Sequence, residues 1–124
     1  MKSPLPKRIL IVEDEPDALE ILRQWCRAQG CHVRVARTGQ EALEISRSFQ
    51  PEVLIADYLL QDDITGVEVI AHLRARGAKV RCVLITGLLQ NALLEAVHRL
   101  HRIPILAKPV DFERLGELLA LAPE

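Results

Sequence analysis

Aromatic residues are scarce in this sequence: its 124 residues include Trp25, Phe49, Tyr58 and Phe112 and no others. Single-stranded nucleic acid is held largely by bases stacked on aromatic faces, and that platform is missing. An excess of charge is missing too, with Lys+Arg 16 against Asp+Glu 17 and a formal net charge of −1. A duplex binder needs a basic footprint, so direct binding to nucleic acid is not expected. No apolar run approaches the roughly 18 residues of a membrane span, and Met1 to Arg8 lacks the apolar core of a secretory leader. The chain is expected in the cytoplasm, with no membrane insertion. Cysteine is sparse and odd in number, and Cys26, Cys31 and Cys82 have no C-x-x-C spacing. Neither a disulfide framework nor a zinc site is suggested, and reduced thiols in or near a core are expected.

What is present suffices for one domain. Hydrophobic residues make up 49% and charged residues 27%, a balance that buries a core and does not favour disorder. Residues 1–7, with Ser3, Pro4 and Pro6, read as a short extended lead-in to a single domain over 8–122. Five short runs rich in Val, Ile and Leu read as strands: Arg8 to Glu13, His32 to Ala36, Glu52 to Asp57, Val80 to Ile85 and Ile103 to Leu106. Between and after them, apolar residues three or four apart mark five helix faces: Leu19, Leu22, Cys26; Ala42, Ile45, Phe49; Val67, Ile70, Leu73; Leu93, Val97, Leu100; and Phe112, Leu115, Leu119. Gly30 and Gly77 stand where the first and third helices stop. Strict alternation of strand and helix predicts an α/β fold, a doubly wound five-stranded parallel sheet with helices on both faces.

The strands also indicate their places. The first, third and fourth are continuously apolar, as strands covered on both faces are. The second alternates polar and apolar residues, and Pro104 in the fifth cannot donate to a ladder, so both suit edges. The order 2-1-3-4-5 satisfies these demands. It is the flavodoxin-like order, whose ligand crevice lies at the carboxyl ends of strands 1 and 3.

Those ends carry the chemistry. Strand 1 leads into Glu13 and Asp14, and strand 3 ends in Asp57. Taken singly, acids before Pro16 are explained by a helix start, and a terminal aspartate by a turn. As neighbours, however, three carboxylates repel strongly. Two unit charges about 4 Å apart cost about 4 kcal/mol at an effective dielectric near 20, which retains a proton or recruits a cation. An all-oxygen set favours a hard ion, and Mg²⁺ fits best. Strand 4 adds Thr86 and strand 5 adds Lys108 at the same edge. An aspartate with a cation, an ammonium and a hydroxyl beside it is equipped to accept a phosphoryl group: Asp57 attacks, while Mg²⁺ and Lys108 balance the charge and Thr86 offers a hydrogen bond.

The runs Ile9 to Glu15, Ile55 to Asp57, Leu84 to Gly87 and Ala107 to Pro109 together resemble the receiver domain of two-component response regulators over essentially the whole chain. That resemblance implies that Asp57 takes phosphate from a phosphohistidine on a sensor histidine kinase or a histidine phosphotransfer protein. It implies Asp14 as a direct Mg²⁺ ligand, Glu13 as a ligand through water and the backbone carbonyl of Leu59 as a third protein ligand. It also implies a cis bond before Pro109 that directs Lys108. Phosphorylation is then expected to draw Thr86 inward and shift the surface formed by the fourth helix, the fifth strand and the fifth helix. Such a domain catalyses only its own phosphorylation and dephosphorylation. It passes its signal to a downstream protein or an attached domain, as a monomer or a weak phosphorylation-dependent dimer.

Three departures qualify the resemblance. Ile105 stands where receivers usually have an aromatic switch residue, so coupling through a ring is expected to be absent or altered. The segment Leu59 to Gly66 lacks the usual proline and is about one residue longer, which resembles receivers attached to hybrid sensor kinases. Leu59 and Leu88 replace polar residues near the site, and slow self-dephosphorylation is expected from their shielding. His98 and His101 have a helical spacing able to bind metal, although no third ligand is evident. Leu93, Leu94 and Val97 face either the core or a partner. The alternatives are a Mg²⁺-dependent phosphohydrolase with an aspartyl nucleophile, which lacks the expected D-x-D pair here, and a degenerate receiver acting by protein contacts only, against which Asp57, Thr86 and Lys108 argue.

Overall fold

The computed structural model describes residues 8–60, 62–87 and 102–120. Five strands, β1 (Arg8–Val12), β2 (His32–Ala36), β3 (Val53–Asp57), β4 (Arg81–Thr86) and β5 (Ile105–Ala107), pair in parallel in the order β2-β1-β3-β4-β5. Ile9 stands opposite both Val33 and Val53, and Asp57 opposite Ile85. The described helices are α1 (Pro16–Ala28), α2 (Gly39–Phe49), α3 (Gly66–Ala75) and α4 (Phe112–Ala120), the last being the fifth helix expected from periodicity. The expected fourth, with Leu93, Leu94, Val97 and the pair His98 and His101, lies outside the described residues, as do Leu88, the lead-in and residues 121–122.

Strand alternation divides the core into two layers. Ile9, Ile11, Val53, Ile55, Val83 and Ile85 pack with Leu19, Leu22 and Cys26 of α1 and Leu115 and Leu119 of α4. Leu10, Val12, Leu54, Ala56 and Leu84 turn the other way, against Ala42 of α2 and Val69, Ile70 and Leu73 of α3. Because both faces are covered, the central strands are apolar between their ends, at Ile9 to Val12, Val53 to Ala56 and Cys82 to Ile85, and each fully buried Leu or Ile contributes about 1.5–3 kcal/mol. Trp25 and Phe112 tie α1 to α4, their ring centroids 5.5 Å apart. Cys26, Cys31 and Cys82 are free and buried, and burial pushes Cys26 up to about 12 and Cys82 to about 11.

The helix ends are set locally. Pro16 opens α1 behind the Glu15 cap, and Thr65 with Glu68 forms a capping box on α3. Gly30 and Gly77 follow their helices at φ 89 and 80, a backbone region that favours glycine. The fifth strand differs from its expected span of Ile103 to Leu106. Pro104 precedes β5 and has no N–H for the ladder, but its carbonyl still accepts from the Leu84 N–H at 2.9 Å. Ile103 is nonetheless fully buried.

Candidate functional site

Parallel pairing brings the carboxyl ends of β1, β3, β4 and β5 to one edge. Glu13 prolongs β1, donating its N–H to the Ala36 carbonyl at 3.0 Å. Its side chain is thereby turned inward and is 1% exposed, unusual for a glutamate. Asp57 ends β3 at 8% exposure and Thr86 ends β4 at 2%. Lys108 follows β5, with its N–H donating to the Thr86 carbonyl at 2.9 Å. The bond from Lys108 to Pro109 is cis.

The ammonium of Lys108 reaches both buried acids, 2.8 Å from Glu13 Oε1 and 3.0 Å from Asp57 Oδ2. The other oxygen of Glu13 accepts from the Glu15 N–H at 3.1 Å. Burial works against the charged lysine, but the carboxylates of Glu13 and Asp57 outweigh it and hold Lys108 above the usual lysine range. At these separations each pair attracts by about 6 kcal/mol at an effective dielectric near 20, while desolvation costs several kcal/mol per ion. The net gain is small, so stability alone does not account for the cluster.

Asp14, half-buried, completes the group: one oxygen from each of Glu13, Asp14 and Asp57 lies within 4.8 Å of the others. Counted as ionised, these carboxylates exceed the Lys108 ammonium by two negative charges. A hard divalent cation matches both that excess and the oxygen donors, so the residues present fit Mg²⁺.

Glu13, Asp14, Asp57, Thr86 and Lys108 therefore meet at the edge where the strand order places them. Leu59, two residues beyond Asp57, is 54% exposed. Ile105 is partly buried against the layer of α2 and α3. An apolar cavity of about 190 Å³ opens beside Lys108, lined by Ile21, Leu22 and Phe112 among others. Gly66 packs directly on the Asp57 carbonyl, where an added Cβ would collide with that oxygen. Its position at a helix start was legible in the sequence; its closeness to Asp57 was not. Arg37 donates to the Asp14 carbonyl at 3.2 Å, and no local spacing marks it.

The model of the response regulator receiver domain family matches residues 9–120. The chain belongs to the response regulator receiver domain family. Among curated relatives, the Regulator of RpoS of Escherichia coli strain K12 is 33% identical over 121 residues, 96% of this chain and 36% of that protein. A response regulator receiver protein of Anaeromyxobacter is 34% identical over 112 residues, 90% of this chain and 47% of that protein. This receiver chain thus spans between about a third and a half of the length of those relatives. Among solved structures, the signal receiver domain of a modulated diguanylate cyclase from Desulfovibrio desulfuricans matches with a TM-score of 0.82 and 30% identity, covering 95% of this chain and 93% of that one. The receiver domain of yeast Ssk1, solved with the histidine phosphotransfer protein Ypd1, shares the fold at a TM-score of 0.72 and 22% identity, covering 93% and 88%. No helix among the described residues of the receiver is long and apolar enough to cross a membrane.

Proposed function

We propose that this receiver domain accepts a phosphoryl group on Asp57 from the phosphohistidine of a sensor histidine kinase or a histidine phosphotransfer protein. The observation that carries the reading is the Lys108 ammonium held between Glu13 and Asp57, with Asp14 closing the acid group. An oxygen of Asp57 attacks phosphorus as the phosphorus–nitrogen bond of the donor breaks, and the imidazole leaves with the electron pair. Lys108 offsets negative charge on the transferring oxygens, and Thr86 donates a hydrogen bond to the product. Asp14 and Asp57 would hold Mg²⁺ directly, with the Leu59 carbonyl as third protein ligand and Glu13 acting through water. When bound, that cation neutralises phosphate charge.

Phosphorylation then shifts Thr86 and the surface of the fourth expected helix, β5 and α4, toward a downstream protein or attached domain. With Ile105 in place of a ring, coupling through an aromatic side chain is absent or altered, and the shift takes a route independent of Ile105. Equal shifts of the fourth helix in wild type and Ile105→Ala on phosphorylation support this. The exposed Ile21, which lines the apolar cavity together with Lys108, gives a cytoplasmic donor protein an apolar contact beside that lysine.

Incubation with a small phosphodonor and Mg²⁺ separates the receiver from a hydrolase. The receiver carries at most one phosphoryl group per chain, on Asp57, and loses it only as fast as it dephosphorylates itself. Multiple turnover of phosphate esters would instead mark a hydrolase.

A further inference from the structure

Asp62 lies in the β3–α3 connection that leaves Asp57, yet both of its oxygens are committed to α2. Oδ1 accepts from the Gly39 N–H at 3.1 Å, and Oδ2 from the Gln40 N–H at 3.0 Å. Thr38, the residue before α2, serves the Glu41 N–H through its hydroxyl at 3.1 Å. The first N–H groups of a helix have no partner within it, and here two of them are satisfied by a residue 23 and 22 positions away. Ile64 closes the same contact. A Cβ on Gly39 would lie 2.8 Å from Ile64 Cβ and Cγ2, so only glycine admits the connection this close. Partial desolvation opposes the Asp62 charge, but the backbone N–H groups outweigh it and hold the carboxyl below its usual range.

The β2–α2 corner grips the acid group from a second direction. Arg37 Nη2 donates to the Asp14 carbonyl at 3.2 Å, and the Arg37 N–H donates to Glu41 Oε1 at 2.8 Å. The ends of the β3–α3 connection are fixed at the sheet, since the Tyr58 N–H donates to the Ile85 carbonyl and the Gly66 N–H to the Tyr58 carbonyl, both at 2.9 Å. Asp62 anchors the arc between those ends. One corner therefore holds both the turn that carries Asp14 and the connection that carries Leu59.

We propose that Asp62 is a positioning residue of the site: by clamping the β3–α3 connection to the start of α2, it fixes where the oxygens of Leu59 and Asp57 are presented. The inference rests on the reading of the site as a cation-assisted phosphoacceptor. Groups that orient ligands from behind typically change metal affinity by about 10- to 100-fold when removed, whereas a plain helix cap affects stability alone.

Mg²⁺ binding to the unphosphorylated full chain, followed by calorimetry and amide chemical shifts, distinguishes the two. Asp62→Ala is expected to raise the Mg²⁺ dissociation constant about tenfold and to lower hydrogen-exchange protection at Tyr58 and Gly66. Asp62→Asn, which keeps one acceptor oxygen, should recover most of that loss and serves if the alanine variant is too unstable. A folded Asp62→Ala chain with wild-type Mg²⁺ affinity and only a lower melting midpoint overturns the proposal and leaves Asp62 a helix cap. Absence of Mg²⁺ binding in the wild type itself is a separate result, and it overturns the phosphoacceptor reading together with the clamp built on it.

Discussion

At the amino end of the strands a cavity of about 490 Å³ is walled by Arg8, Arg47, Arg76 and Lys79, with Glu52 as its acid. At the carboxyl end Lys108 sits among Glu13, Asp14 and Asp57. The sign of charge at each end follows from the fold. Every helix of a parallel α/β sheet starts above the carboxyl edge and stops below the amino edge, so acids are favoured above and cations below. Arg47 lies in the last turn of α2, Arg76 caps α3, and Arg8 donates to the Gln50 carbonyl at 2.8 Å. Asp17 and Glu68 do the corresponding work at helix starts. Glu13 and Asp57 differ because they are buried and face a lysine. Helix ends explain the sign of charge, but the burial and convergence of these acids call for a chemical explanation.

The contrast can be broken at several points. The largest effect is expected from Asp57→Asn, which should reduce phosphoryl incorporation from a small phosphodonor to background while leaving the far-ultraviolet circular dichroism unchanged. Next comes Gly66→Ala. Its methyl must displace the Asp57 carbonyl or α3, at a cost of about 2–4 kcal/mol seen in urea unfolding. Lys108→Met leaves the Glu13 carboxylate buried without its cation. A fully buried pair broken this way costs about 3–5 kcal/mol, and with the lysine side chain 27% exposed a loss of about 2 kcal/mol is expected. The same variant should slow phosphorylation by about a hundredfold.

A smaller effect sharpens the comparison through pH. Because Lys108 titrates above its ordinary value of 10.5 in the folded chain, its contribution is complete below that value and is lost as pH rises through the folded one. Urea stability of the wild type should therefore fall in the alkaline range above the ordinary lysine value by more than that of Lys108→Met. Equal slopes would mean that the ammonium is not stabilised by its acids. The smallest effect belongs to the amino end. Arg47→Ala combined with Lys79→Ala should change stability by no more than about 0.5 kcal/mol and leave the phosphorylation rate unaltered.

Much of this arrangement was legible in the sequence because it depends on short-range regularities. Continuous apolar runs marked the central strands β1, β3 and β4, and alternation marked β2 as an edge. Once the order was set, Asp57, Thr86 and Lys108 had to share an edge. The position of β5 was less legible, since Pro104 excludes itself from the ladder while Ile103 before it still fills the core. The partners within the site were the hardest to read. Nothing in the local spacing shows that Lys108 joins Glu13 as well as Asp57, or that Asp62 caps a helix earlier in the chain. Those contacts join distant segments, and hydrophobic period carries no record of them.

The central claim is that the buried acids of the carboxyl end meet for phosphoryl transfer. Peptide mass spectrometry of the chain after incubation with acetyl phosphate and Mg²⁺ tests it most directly. The expected result is one acid-stable, base-labile phosphoryl group per chain, on the peptide that contains Asp57, and none when the cation is chelated. A phosphoryl group on any other residue, or an unmodified Asp57 under the same conditions, would contradict the account.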